Sequence, residues 1–294
     1  GWKPEAWQAV LRDPQRPLLN RVYQGAYPPA STFKLIVAAA ALRARLPMVK
    51  EKVQCTGHLE LPDRELNCWK EQGHGWIDLH EAIVESCDVY FYLLGDALGM
   101  ARIAKEAFRW GLGHPTGLPM AGEATGYVPD ATRRRWFRGE TMIAAIGQGA
   151  VSATPLQMAR VAAAIANGGR LLVPKLVARA QPEVAAEIEL PLEDWQLLRQ
   201  AMRAVVASPR GTAFAAFRGV PWAVAGKTGT AQVVRADPER GEAPEDHAWF
   251  IGFAPYEAPR YAFAVFVEHG GHGGSAAAPI AAEVVRALMK EERR

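Results

Sequence analysis

Residues 27–34 read YPPASTFK and run directly into LIVAAAALRA at 35–44. The second stretch is rich in Ala and Leu, the strongest helix formers. Pro28 and Pro29 keep the preceding backbone extended and cannot continue a helix backwards. The pattern predicts a helix that starts near Ala30 or Ser31. Positions i and i+3 share one face of a helix. Ser31 and Lys34 then meet at a helix N-terminus, beside unpaired N–H groups and the positive end of the dipole. That setting suits a serine nucleophile, a lysine that takes its proton and a backbone site for the resulting oxyanion. An N-capping serine followed by a surface lysine would read the same, so the motif gains weight only from its company.

The bulk numbers narrow the field. The chain has 294 residues, 49% hydrophobic and 22% charged, which is the composition of a globular chain with an ample core. The length fits one large domain or two lobes. A net charge of +3 and the lack of a dense basic run argue against nucleic acid as a partner. No apolar run approaches the length needed to cross a bilayer. The chain opens on GWKPEAW, with no initiator Met and no signal-peptide pattern, and looks like a fragment or processed form from which a membrane anchor could have been removed.

Further along, residues 1–20 read as a short helix and loop, and 33–45 as a buried Ala-rich helix ended near Pro47. Residues 50–76 look irregular. DLHEAIVES (78–86) and DVYFYLLGDALG (88–99) read as two helices joined tightly at Cys87, with Asp78 and Asp88 as N-caps. RIAKEAFRWGLG (102–113) is another helix, closed by glycine. Residues 113–140 show no clear periodicity. In TPLQMARVAAAIANGG (154–169), Thr154 caps, Pro155 takes the first turn, Gln157 completes a capping box and Gly168 stops the helix. LEDWQLLRQAMRAVVA (192–207) is amphipathic and helical. WAVAGKTGTAQVV, HAWFIGFAPY and RYAFAVFVEHG then read as three strands. A charged segment, 235–246, separates the first two. APIAAEVVRALMKEE (278–292) closes the chain as a helix. The reading is α+β, with helices through the middle and an apparently antiparallel sheet with a covering helix at the end.

Two more stretches join the first. GKTGT (226–230) puts Lys227, Thr228 and Thr230 on an expected edge strand, where hydroxyls and an ammonium could hold a carboxylate. Gly229 permits close approach of another backbone. ESCDVYFY (85–92) puts Ser86 at a helix–helix junction. The chain has five serines, and two of them fall in these stretches. S-x-x-K, S-x-N and K-T-G together are an established signature of class A β-lactamases and penicillin-binding proteins. Here Ser31–Lys34, Ser86–Asp88 and Lys227–Gly229 follow in that order, with Asp88 in place of the Asn.

With these motifs the chain resembles the transpeptidase domain of class B penicillin-binding proteins, close to the elongation type called penicillin-binding protein 2. LLNRVYQGAYPPASTFK, GHGWIDLHEAIVESCDVYFY, GLGHPTGL, IGQGAVSATPLQMA, AGKTGTAQV and HAWFIGFAP carry the resemblance over nearly the whole chain. It implies an α/β/α sandwich of the penicillin-binding and serine β-lactamase type. Residues 1–294 would form one transpeptidase domain, with a helical lobe mainly over 36–200 and the sheet with its C-terminal helix mainly over 215–294. The family's N-terminal strands, pedestal and membrane anchor would lie outside this chain.

The resemblance also implies a D,D-transpeptidase. Ser31 would attack the carbonyl between the terminal D-alanines of a peptidoglycan stem peptide, and neutral Lys34 would take its proton. Ser86, helped by Lys227, would relay a proton to the leaving D-Ala. Asp88 would position Lys34 or the substrate amide. The N–H groups of Ser31 and Thr230 would form the oxyanion hole, and Thr228 and Thr230, flanking Gly229, would hold the substrate carboxylate. An amine from a neighbouring stem would resolve the acyl-enzyme, and β-lactam antibiotics would acylate the same Ser31. The implied partners are a RodA-like SEDS glycosyltransferase and an MreC-like scaffold, at the extracytoplasmic face of the bacterial cytoplasmic membrane. A class A β-lactamase would need a deacylating Glu in an E-x-x-x-N setting. Asn167 is the one Asn between the second and third motifs, and no Glu stands four residues before it. No G-x-S-x-G occurs, which disfavours an α/β-hydrolase.

Cys55, Cys68, His74 and Cys87 are separated by 12, 5 and 12 residues. Three thiolates and an imidazole make a Cys₃His set of the structural zinc type, and a loop poor in core residues would benefit from such a clip. A Cys68–Cys87 disulfide, three buried thiols, or replacement of a ligand by His58 or Asp63 are the competing readings. The resemblance favours metal, because some members of the subgroup look able to bind it here. His114, His247, His269 and His272 read as turn or structural residues.

Overall fold

The computed structural model describes residues 3–130, 136–177, 181–233 and 245–292. Helix α1 (Pro4–Arg12) begins on a proline and buries none of its residues. After the Pro28–Pro29 pair comes a 3₁₀ turn, Ala30–Thr32, and only then helix α2 (Lys34–Arg43). The α-helix thus starts later than the sequence suggests. Ala30 has φ 49°, a left-handed conformation that an α-helix cannot include. Ser31 therefore rides a tighter turn in front of the helix. Residues 34–42 of α2 are all buried, as an apolar helix without a polar face must be.

Residues 50–76 are more regular than their Gly and Pro content predicts. β1 (Val53–Cys55) pairs antiparallel with β4 (Gly75–Ile77), and β2 (His58–Leu61) with β3 (Arg64–Asn67). Strands of three or four residues carry too few alternations for a period to be read. Gly73 holds the pairs together. A Cβ there would fall 2.2 Å from the Cys55 carbonyl oxygen.

Asp78 caps α3 (Leu79–Val84) in a reciprocal box with Glu81. At the start of α4 (Asp88–Leu98) the cap is Cys87, whose sulfur accepts the Tyr90 N–H, not Asp88. The Asp88 carboxylate is thereby free for other partners. α5 (Met100–Arg109) and α6 (Arg138–Ala145) complete the helical lobe, and α6 is not evident from periodicity. α7 (Pro155–Ala166) has the expected Thr154–Gln157 capping box and ends at Gly168, φ 76°. An unforeseen short pair, β5 (Arg170–Leu172) with β6 (Val184–Glu187), precedes α8 (Leu192–Ala207).

The main sheet has the order β7 (Ala225–Ala231), β8 (His247–Ala254), β9 (Tyr261–Val267), all antiparallel, with β7 at an edge. Gly229 faces Trp249 and Thr230 faces Ala248 across the first pair. Of the charged segment expected between β7 and β8, residues 235–244 lie outside the described residues. Alternation along the strands splits the core in two. Trp249, Ile251 and Phe253 join the core of α2, α4 and α7. Ala248, Phe250 and Ala254 join Ala281, Ala282 and Val285 of α9 (Ala278–Glu292). Helices therefore cover both faces of an antiparallel sheet, with a helical lobe alongside, as the α+β sandwich reading expects. No helix among the described residues is long and apolar enough to cross a membrane.

Candidate active site

Contacts from three directions hold the Ser31 turn. The Ala30 N–H donates to the Gly147 carbonyl at 2.9 Å. Gly147 has φ 72°, and a Cβ there would fall 2.2 Å from the Ala30 oxygen, so glycine is required. Trp249 Nε1 donates to the Pro28 carbonyl at 3.0 Å. Gly229 of β7 approaches so closely that a Cβ would stand 3.2 Å from the Pro29 oxygen. Ser31 thus sits where the sheet edge meets the helical lobe. It is half-buried, and its hydroxyl makes no hydrogen bond among the described residues.

Behind it lies a buried network. Lys34 Nζ donates to Asp88 Oδ1 at 2.7 Å, to the Ser86 carbonyl at 2.9 Å and to Ser86 Oγ at 3.3 Å. Lys227 Nζ donates to Ser86 Oγ at 2.8 Å and to the Thr228 carbonyl at 3.1 Å. Both lysines are fully buried. One hydroxyl therefore stands between two amines. Ser86 takes this place at φ 58°, a strained conformation for a residue with a Cβ, forced by the tight α3–α4 junction. Burial pushes Lys227 well below the usual lysine range, and the charge on Lys34 adds to this while Asp88 opposes it.

The threonines line the same edge. The hydroxyls of Thr228 and Thr212 are hydrogen-bonded at 2.6 Å. Thr230 Oγ1 accepts the Gly273 N–H at 3.2 Å, and its carbonyl accepts Gln148 Nε2 at 3.1 Å.

On the far side of Ser86 the three cysteines and His74 converge. Cys55 Sγ is 3.5 Å and Cys68 Sγ 3.6 Å from His74 Nδ1, and the four donor atoms lie within 4.8 Å of one another. A tetrahedral ion with bonds of about 2.3 Å to sulfur and about 2.0–2.1 Å to nitrogen has S···N edges of about 3.6 Å. The cluster thus has the size and chemistry of a metal cradle. All three cysteines are free, so no Cys68–Cys87 disulfide forms. His58 instead faces Glu60 and Glu65 on the β2–β3 hairpin, and Asp63 pairs with Arg64, so neither replaces a ligand. A hydrogen bond from Cys87, with His74 adding to it, pulls Cys55 down to about 6. The same two groups lower Cys68, while Cys55 and Cys68 push Cys87 up. The Asp88 N–H donates to Cys68 Sγ at 3.4 Å, which joins the cluster to the network.

The penicillin binding protein transpeptidase domain profile matches residues 3–290. The chain belongs to this family. The transpeptidase domain is 34% identical over 310 residues to the peptidoglycan D,D-transpeptidase MrdA of Haemophilus influenzae, a match covering 97% of the chain and 48% of MrdA. It superposes with TM-score 0.88 on penicillin-binding protein 2 of Pseudomonas aeruginosa in complex with WCK 5153, at 37% identity over 98% of this chain and 64% of that one. With penicillin-binding protein 2 of Helicobacter pylori in its complex with MreC the TM-score is also 0.88, at 33% identity over 100% of this chain and 55% of the other. The chain spans about half the length of the curated relatives it matches.

In this transpeptidase domain the structure brings together Ser31, Lys34, Ser86, Asp88, Lys227, Thr228, Gly229 and Thr230, and separately Cys55, Cys68, His74 and Cys87. Sequence reasoning missed Trp69 and Thr212. The Trp69 N–H donates to Asp88 Oδ2 at 2.9 Å, and its indole N–H to the Ser86 carbonyl at 3.1 Å. Its position directly after a candidate ligand was the one available signal. Thr212 carries no pattern of its own. Only the fold sets it beside Thr228.

Proposed function

We propose that this chain is the catalytic domain of a peptidoglycan D,D-transpeptidase. Ser31 Oγ attacks the carbonyl carbon of the D-Ala–D-Ala bond. Its proton goes to Lys34, and the N–H groups of Ser31 and Thr230 stabilise the oxyanion. The C–N bond then breaks. Ser86 delivers the proton to the departing amine, and Thr228 and Thr230 hold the terminal carboxylate. A stem-peptide amine next attacks the acyl carbon and gives its proton to Lys34, which returns a proton to Ser31 Oγ as the ester C–O bond breaks, and the new amide closes the crosslink.

The observation that carries this reading is the Ser86 hydroxyl between two buried amines. Two adjacent ammonium groups repel in a buried site. At rest the charge stays on Lys34, paired with Asp88. Passing that proton through Ser86 Oγ to Lys227 leaves Lys34 as the free amine that Ser31 needs. Asp88 fixes Lys34 in place.

Cys55, Cys68, His74 and Cys87 fit a structural zinc ion, which would brace Asp88 and the Ser86 turn from behind. The chemistry itself uses no cofactor. By likeness to the relatives above, the full-length protein works in lateral wall elongation and cell-shape maintenance, on the extracytoplasmic face of the cytoplasmic membrane. An MreC-like scaffold and a RodA-like SEDS glycosyltransferase would be its partners.

The test is intact mass after incubation with benzylpenicillin, beside Ser31→Ala. A lasting one-to-one adduct that the variant lacks supports the reading. Rapid hydrolysis with no lasting adduct would instead mark a β-lactamase.

A further inference from the structure

We infer that Thr212 is a positioning residue for carboxylate recognition, fixing the direction in which the Thr228 hydroxyl donates. The inference rests on the proposed function and deepens it.

A threonine hydroxyl has one proton. To hold a substrate carboxylate, Thr228 must donate that proton outward. Its oxygen lies 2.6 Å from Thr212 Oγ1, and one of the two hydroxyls must be the donor of that bond. With a carboxylate bound, Thr228 is committed to it, so Thr212 supplies the proton. Among the described residues Thr212 is the one hydrogen-bond partner of the Thr228 hydroxyl, and Thr228 is buried. Thr230 is served in the same sense by another group. Its oxygen accepts the Gly273 N–H at 3.2 Å, which leaves its own proton free. Both hydroxyls are thus prepared as donors toward one anion, one by a side chain and one by the backbone.

Thr212 is itself held firmly. The Gly211 N–H donates to the Ser208 carbonyl at 2.8 Å. Arg210 pairs with Glu81 and Glu85, directly ahead of Ser86. On the other side a Cβ on Gly274 would fall 2.6 Å from the Thr212 carbonyl oxygen. The 208–212 loop therefore connects the Ser86 turn to β7, and Thr212 is its contact with the strand.

The test uses this chain and two acylating probes, benzylpenicillin and its methyl ester, which lacks the carboxylate. Thr212→Val removes the hydroxyl and keeps the branched shape. A hydrogen bond to a charged group sets the scale of the loss at roughly tenfold or more. Acylation by benzylpenicillin should weaken by that factor, through half-saturating concentration more than limiting rate. Acylation by the ester should change little, and Thr212→Ser should restore benzylpenicillin. Melting temperatures of both variants, read alongside, identify loss of folding. Equal slowing with both probes, or no restoration by Ser, would reduce Thr212 to a structural residue and overturn the inference. If the unmodified chain forms no adduct at Ser31 with either probe, the functional reading falls first and takes this inference with it.

Discussion

Lys227 shows how much the buried site costs the fold. A lysine in the unfolded chain titrates at about 10.4, and burial holds folded Lys227 well below that. Between the two values the unfolded chain binds a proton that the folded chain refuses. Stability from this group is therefore full above the unfolded value and is lost as pH falls toward the folded one. Lys227→Met removes the group. The variant should melt higher than wild type at neutral pH, and the gap should close as pH rises from about 8 to about 10. Thermal melts across that range would check the sign. A gap that stays constant with pH would mean that Lys227 is not held neutral. The same variant should lose acylation by at least about 100-fold, the scale of a removed proton-transfer group. Higher stability with lower activity is what a strained catalytic group predicts.

At the scale of elements, the segment that supports the Ser86 turn has little core of its own. β1 to β4 are three or four residues long, and Trp69 and Trp76 on this segment are 59% and 62% exposed. A metal held by Cys55, Cys68, His74 and Cys87 would supply the missing cohesion. Removing zinc from the loaded chain with a chelator should lower the melting temperature by about 5 °C or more. It should also slow acylation, because Cys68 accepts the Asp88 N–H and Asp88 holds Lys34. Unchanged melting and unchanged acylation after verified metal loss would sink this role. The legibility of the sequence follows the same division of elements. α7 and α8 could be read because caps and a 3.6-residue period act locally. The three motifs could be read because the chemistry restricts residue type at fixed spacing. The β1–β4 pairs could not, since strands this short owe their form to Gly57, Gly73 and the cysteine cluster. The start of α2 was misplaced because the left-handed Ala30 is imposed by Gly147, more than a hundred residues away. Cys87 displaced Asp88 as a cap for a related reason. The carboxylate is drawn to Lys34 and the Trp69 N–H, partners visible only in the fold.

For the molecule as a whole, the decisive fact is that the sheet serves two cores, and the Ser31 turn is tied to the front one. Trp249 points to the front core, lies behind Gly229 and donates to the Pro28 carbonyl. Val285 of α9 points into the back core and is fully buried. The geometry at Ser31 should therefore depend on the front face and not on the back one. Trp249→Phe keeps most of the ring and loses the hydrogen bond, at a cost of about 1–2 kcal/mol. Val285→Ala opens a small cavity at a comparable cost of about 2 kcal/mol. Both variants remain folded well below their melting points. At such a temperature Trp249→Phe should acylate several-fold more slowly, because the Ser31 turn has lost its tie to the sheet. Val285→Ala should acylate at the wild-type rate. Denaturant titration gives the stability losses, and single-turnover acylation with a fluorescent penicillin gives the rates. Equal slowing by both variants would show that overall stability, not the front-face tie, sets the geometry at Ser31.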